Sequence, residues 1–233
     1  MTNSQPPRQT PMNAPVSAPT TSLLGVHTAN QSTVPKTAPK IAPTNAPTNA
    51  PLHAPRKLKL ATVSLAGCFG CHMSFLDLDE RLLPLFDLVE FDRSPLTDIK
   101  TLGHCDIGLI EGGLCNAENV HLLREFRAHC QILVAVGACA INGGLPALRN
   151  AMDVGQILRD VYVHQTGLGA HSQVPNDPEL PLPLNRVHAI HEVVHVDHFL
   201  PGCPPSADAF WELLTAIMAR REPELGPRLM HYD

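Results

Sequence analysis

Cys68 and Cys71 stand two residues apart in SLAGCFGCHMSF, and two further cysteines, Cys139 and Cys203, each follow an apolar run. Four thiolates that converge can hold a zinc ion or an iron–sulfur cluster. A zinc site that staples a fold draws on close cysteine pairs along a short segment. Here only one pair is close: 67 residues separate Cys71 from Cys139, and 63 separate Cys139 from Cys203. Ligands so dispersed need a scaffold that is already folded, which favours a redox cluster and leaves a zinc-stabilised, non-redox scaffold as the alternative. Gly67, Gly70, Gly137 and Gly202 lie beside these cysteines and let the backbone approach and aim N–H groups at sulfide.

The remaining three of the seven cysteines carry blander readings. Cys105 and Cys130 border apolar runs and are expected to be small core residues. Cys115, in EGGLCN, reads as a spare thiol near a partner surface. His188, His191, His195 and His198 fall at helical spacing, but VVHVDHF is β-branched. As a strand it sets His191 and His195 on one face and His198 on the other, as ordinary histidines. His72, next to Cys71, is a candidate donor near the cluster.

The elements that must position these residues alternate between buried runs and amphipathic stretches, the pattern of an α/β fold with a parallel sheet covered by helices on both faces. KLKLATVSLA (57–66), LVEFD (88–92), CDIGLIEGG (105–113), QILVAVGACA (131–140) and HEVVHVDHFL (191–200) read as strands. SFLDLDERLLPLF, AENVHLLREFRAHC (117–130), VGQILRDVYV and SADAFWELLTAIMARR read as helices, the last capped by Ser206, with a Pro-rich loop over 165–185. The cysteines and Glu111 then fall at the carboxyl ends of strands, the edge of an open α/β sheet where ligands bind.

Residues 1–55 differ from the rest. They hold 11 of the 23 prolines, one at every fourth position from Pro35 to Pro55, and no Asp or Glu. Such a stretch cannot form a helix and is expected to be a disordered tail, leaving 56–233 as the folded domain. The tail carries three basic residues, so the remainder has 17 − 3 = 14 basic against 22 acidic, a formal −8. That charge is a poor match for nucleic acid. The sequence has no run of the roughly 18 apolar residues a membrane span needs and no twin-arginine or apolar export signal, so a cytoplasmic protein is expected.

CFGC, IEGG, VGACAINGG and PGCPP, in this order within residues 57–233, resemble the small subunits of nickel–iron hydrogenases, in their cytoplasmic NAD-reducing branch. The resemblance implies a flavodoxin-like, doubly wound sheet and makes Cys68, Cys71, Cys139 and Cys203 the ligands of one [4Fe-4S] cluster. It matches Glu111 to an acidic residue that lies toward the large subunit and is linked to proton movement. It further implies an electron relay from hydrogen, oxidised at a nickel–iron centre in a partner large subunit, to flavin and iron–sulfur diaphorase subunits that reduce NAD. A related subunit serving F420, sulfur or a ferredoxin is the alternative. FMN is the other cofactor this fold suggests, but the loop after the first strand, where a flavodoxin holds phosphate, is taken by Cys68 and Cys71.

Departures from the family pattern matter too. The quinone-linked relative has adjacent cysteines where this chain has Cys68-Phe69-Gly70-Cys71, and Gly67 stands where many relatives carry a glutamate. Too few cysteines remain for a second cluster. With one close cysteine pair and no G-x-G-x-x-G after a strand, hydrogen cleavage and NAD reduction are expected on partner chains.

Overall fold

The computed structural model describes residues 56–169 and 171–230; the tail expected over 1–55 lies outside the described residues. Strands β1 (Leu58–Ser64), β2 (Val89–Phe91), β3 (Cys105–Glu111), β5 (Cys130–Val136) and β7 (His198–Leu200) form one parallel sheet in the order β2-β1-β3-β5-β7. The order steps outward from β1 in both directions, the doubly wound arrangement of flavodoxin-like folds. A second, two-stranded antiparallel sheet joins β4 (Leu114–Asn116) to β6 (Pro183–His188).

Alternation along the central strands divides the core. Leu60, Ile107, Leu109, Val134 and Val136 face a cluster with Phe75, Leu85, Phe210 and Leu213 from α1 (Gly70–Leu76), α2 (Leu82–Leu88) and α6 (Ala207–Met218). Ala61, Val63, Ile110, Leu133 and Ala135 face the other way, against Leu123 and Phe126 of α3 (Ala117–His129). Every residue of β3 is buried, as a central parallel strand covered on both faces requires. Caps fix where the helices begin. Asn116 accepts from Asn119 N–H at 2.8 Å, and Ser206, as expected, accepts from Ala209 N–H at 3.2 Å. Asp153 does the same for α5 (Val154–Tyr162), accepting from Gln156 N–H at 2.7 Å.

Four sequence expectations are corrected. The helix expected over SFLDLDERLLPLF is split by a 3-10 turn (Asp79–Arg81), with Asp79 left-handed at φ 50°. Pro84 explains the restart: at the third position of α2 its missing N–H costs no intrahelical bond, whereas deeper in one long helix it would break the ladder. QILVAVGACA ends as a strand at Val136, because Gly137 turns left-handed (φ 78°) into the short helix α4 (Gly137–Asn142).

HEVVHVDHFL is mostly not strand. Ile190–Glu192 is a 3-10 turn held by Glu192 accepting from Ala189 N–H at 2.8 Å, and only His198–Leu200 joins the sheet. Asp197 replaces the missing strand pairing: its carboxylate accepts from Leu133 N–H at 2.7 Å while its own N–H donates to the Leu133 carbonyl at 2.9 Å. The alternating faces assigned to His191, His195 and His198 therefore do not apply. Finally, Cys105 and Cys130 are buried as expected but are not separate thiols. They are register partners on β3 and β5, with Cα atoms 4.6 Å apart, and their sulfurs are bonded. Gly108 makes the room, since a Cβ there would lie 2.8 Å from the Cys130 sulfur.

Candidate metal centre

The loops leaving β1, β3 and β5 and the loop after β7 meet at the carboxyl edge of the sheet. Cys68, Cys71, Cys139 and Cys203 all line one chamber of about 60 Å³ there, together with Gly67, Glu111 and Gly202. Cys68 and Cys203 are exposed at its rim, while Cys71 and Cys139 are half-buried. A single zinc ion bonded to four sulfurs at about 2.3 Å leaves no void among them. A water occupies about 10–15 Å³ by the same measure, so the chamber suits a group of several atoms.

Local backbone chemistry serves the sulfurs. Gly70 N–H points at the Cys68 sulfur at 3.4 Å, and Leu145 N–H donates to the Cys139 sulfur. Two glycines cannot carry a side chain here. At Gly137 (φ 78°) a Cβ would strike the Cys71 sulfur; at Gly144 (φ 49°) it would lie 2.7 Å from the Cys139 sulfur and 2.9 Å from the Cys139 nitrogen. Burial pushes the Cys71 thiol well up and also raises that of Cys139, where the Leu145 N–H works the other way; the neighbouring thiols and Glu111 push both upward. Such a crowd of would-be anions suits a cationic occupant, and any metal bound there would displace thiol protons.

Glu111, at the end of β3, is 3 % exposed. Ser64 Oγ donates to its Oε1 at 2.6 Å and His72 N–H to its Oε2 at 2.9 Å; it is also hydrogen-bonded with the Cys71 thiol. Burial alone raises the carboxyl, but the bonds from His72 and Ser64 outweigh it and hold Glu111 below the usual range. Its carboxylate thereby satisfies one of the orphan donors in the first turn of α1. The His72 ring, 5 % exposed, sets Nδ1 3.3 Å from Glu111 Oε2 and Nε2 2.9 Å from Thr62 Oγ1; Thr62 in turn bonds Ser94 at 2.6 Å. His72, expected as a donor near the cluster, instead ties Glu111 to the interior of β1.

Residues 68–217, from the first chamber cysteine to the end of α6, match the sequence profile of the NADH ubiquinone oxidoreductase, 20 Kd subunit, family. The chain belongs to that family. Among its curated relatives, the NAD-reducing hydrogenase HoxS subunit delta of Cupriavidus necator is 45 % identical over 76 % of this chain and 86 % of its own. A vhu subunit of the F420-non-reducing hydrogenase of Methanococcus voltae is 35 % identical over 75 % of this chain, which spans 61 % of that protein. A chain in the crystal structure of an NAD+-reducing [NiFe]-hydrogenase in the H2-reduced state is 60 % identical. It superposes with a TM-score of 0.75 over 76 % of this chain and all (100 %) of its own.

Cys115 sits apart from the chamber on β4, its sulfur 3.4 Å from Asn119 Oδ1. His188 pairs with Glu192 at 2.7 Å and His195 lies 3.4 Å from Asp197. Among the described residues no group of three or more His, Cys, Asp or Glu is close enough to hold a single metal ion. Two site residues carry no sequence signal of their own: Ser64, which reaches Glu111 because the two are register partners at the ends of β1 and β3, and Phe69, which stacks on His72.

Proposed function

We propose that this chain is the electron-transfer small subunit of an NAD-reducing nickel–iron hydrogenase and that Cys68, Cys71, Cys139 and Cys203 hold one [4Fe-4S] cluster. The observation that carries the proposal is the shared chamber of four cysteines drawn from separate loops at the carboxyl edge of the sheet. The donor set fits: four thiols, N–H groups at the Cys68 and Cys139 sulfurs, and glycines where side chains would collide with the Cys71 and Cys139 sulfurs. When bound, the cluster supplies one-electron transfer between the hydrogen-oxidising and NAD-reducing partners.

The chain's own residues set the conditions for that transfer. Half-buried Cys71 and Cys139 face the low-dielectric interior, and exposed Cys68 and Cys203 face the rim that a partner must cover. Hydrogen bonds from Gly70 and Leu145 N–H to the sulfurs favour the reduced state and raise the potential. Glu111, held as a carboxylate by Ser64 and His72, can accept a proton at the boundary with the large subunit; this is the role proposed for it.

The assembly follows from the reading: a nickel–iron large subunit covers the rim, and flavin and iron–sulfur diaphorase subunits accept the electrons. NAD is favoured as final acceptor over F420 because the NAD-reducing relatives share 45 % and 60 % identity with this chain, against 28 % and 31 % for two coenzyme F420 hydrogenase gamma subunits. A cytoplasmic site of action is part of the proposal, since the pyridine nucleotide pool it would reduce is intracellular. Among the described residues no helix is long and apolar enough to cross a membrane. FMN forms no part of the proposal, because the β1 loop is committed to Cys68 and Cys71.

The test is hydrogen-dependent NAD reduction by the co-purified assembly. Cys139→Ser should abolish it while leaving NADH-driven dye reduction by the diaphorase partners intact. Undiminished hydrogen-dependent activity in that variant would remove the assignment.

A further inference from the structure

Three non-glycine residues have positive φ among the described residues: Asp79, Arg220 and Phe69. The first two are exposed polar residues in turns beside helix ends. Phe69 (φ 66°, ψ 6°) is different, an aromatic residue at a backbone position that glycine would fill more easily, between two chamber cysteines. It forms no side-chain cap for α1, so helix initiation does not explain it. Its ring lies on the His72 imidazole, with centroids 4.7 Å apart and planes 4° from parallel.

That stack completes the enclosure of His72. Hydrogen-bonding groups already stand at the two imidazole nitrogens, Glu111 at Nδ1 and Thr62 at Nε2, leaving the ring faces to be fixed by packing. The His72 backbone N–H donates to the Glu111 carboxylate, which itself lines the chamber. A continuous line of contacts therefore runs from Phe69 through His72 to Glu111, and Phe69 lines the same chamber beside Cys68. We propose that Phe69 is a positioning residue: its ring, kept on a left-handed backbone, fixes His72 so that Glu111 stays bonded to the His72 N–H at the chamber wall, and shields that wall from water. This rests on the cluster reading for one of the two measurements below.

The test uses the full chain, purified anaerobically with its partner subunits, as parent, Phe69→Gly and Phe69→Tyr. Glycine relieves the left-handed backbone, so folding is not put at risk; tyrosine keeps the ring. In Phe69→Gly, hydrogen exchange at the His72 amide should accelerate on the order of tenfold, as expected for losing one aromatic contact from a local opening. The cluster's reduction potential should also move positive as water gains access, at unchanged iron content. Phe69→Tyr should match the parent in both. Parent-like exchange and potential in Phe69→Gly would overturn the proposal, as would a Phe69→Tyr that behaves like Phe69→Gly. A parent with no cluster would remove the reading above, and His72 exchange would still decide the role of Phe69.

Discussion

Gly144→Ala puts the chamber's architecture under the sharpest local strain. Gly144 follows α4 at φ 49°, and a Cβ there would stand 2.7 Å from the Cys139 sulfur, 2.8 Å from its Cα and 2.9 Å from its nitrogen. Two of those three atoms are backbone and cannot swing aside. At φ 49° and ψ −143° the backbone lies in a region that is nearly glycine-only, and holding an alanine there costs about 1–3 kcal/mol. Overpacking against fixed atoms adds about 1–3 kcal/mol. The expected loss is thus about 2–6 kcal/mol, or roughly 4–24 °C in Tm for a domain of this size. Gly167→Ala isolates the cost of a positive φ from that of overpacking, because Gly167 also has a positive φ (93°) yet has nothing within 4 Å of its would-be Cβ. It should lose only about 1–2 kcal/mol. Urea denaturation of the two variants beside the parent gives both values, and iron content reports whether Cys139 still serves as a ligand. Equal losses in the two variants, or a Gly144→Ala chain with parental stability and iron, would refute the account of a chamber wall in contact with Cys139.

Cys115→Ser should leave iron content and electron transfer at the parental level, as measured by metal analysis and hydrogen-dependent dye reduction, because Cys115 stands on β4 outside the chamber. Alkylation of the denatured, metal-stripped chain without reductant should label five of the seven cysteines, and all seven after reduction, since Cys105 and Cys130 are joined; mass spectrometry counts the labels. Asp197→Ala strips the acceptor from Leu133 N–H and Arg127 Nη1, bonded at 2.7 and 2.6 Å, and should cost about 1–3 kcal/mol in urea denaturation. Burial works to raise the Asp197 carboxyl, but those donors hold it below the usual range. Its stabilising contribution is therefore complete above about pH 4 and drains away as pH falls toward the lowered value, so the acid limb of a stability–pH profile should flatten in Asp197→Asn.

The parts of the fold legible in the sequence were those whose signal is local. Long β-branched runs gave β1, β3 and β5, and the recurrence of Val120, Leu123 and Phe126 gave α3. Ser206 marked the start of α6 because a hydroxyl before an apolar periodic run is a capping signal in itself. The chamber was legible for a related reason: its four cysteines each follow a strand, and parallel strands bring their carboxyl ends to one edge. What stayed hidden depends on partners distant in sequence. HEVVHVDHFL looks like a strand until Asp197 spends its hydrogen bonds on Leu133, 64 residues away. The β4–β6 pairing unites two short segments, one of them beginning at Pro183, across the Pro-rich loop. The Cys105–Cys130 bond follows from the β3–β5 register, which no pattern in either strand specifies. Phe69 was invisible as a site residue because its importance lies in a backbone angle and a stacking partner, not in its type.

Metal analysis and EPR spectroscopy of the anaerobically purified chain test the central claim most directly. The account predicts about four iron atoms and four sulfides per chain and a paramagnetic signal that appears on reduction, all lost together in Cys139→Ser. One zinc per chain, with no colour and no signal in either redox state, would contradict it.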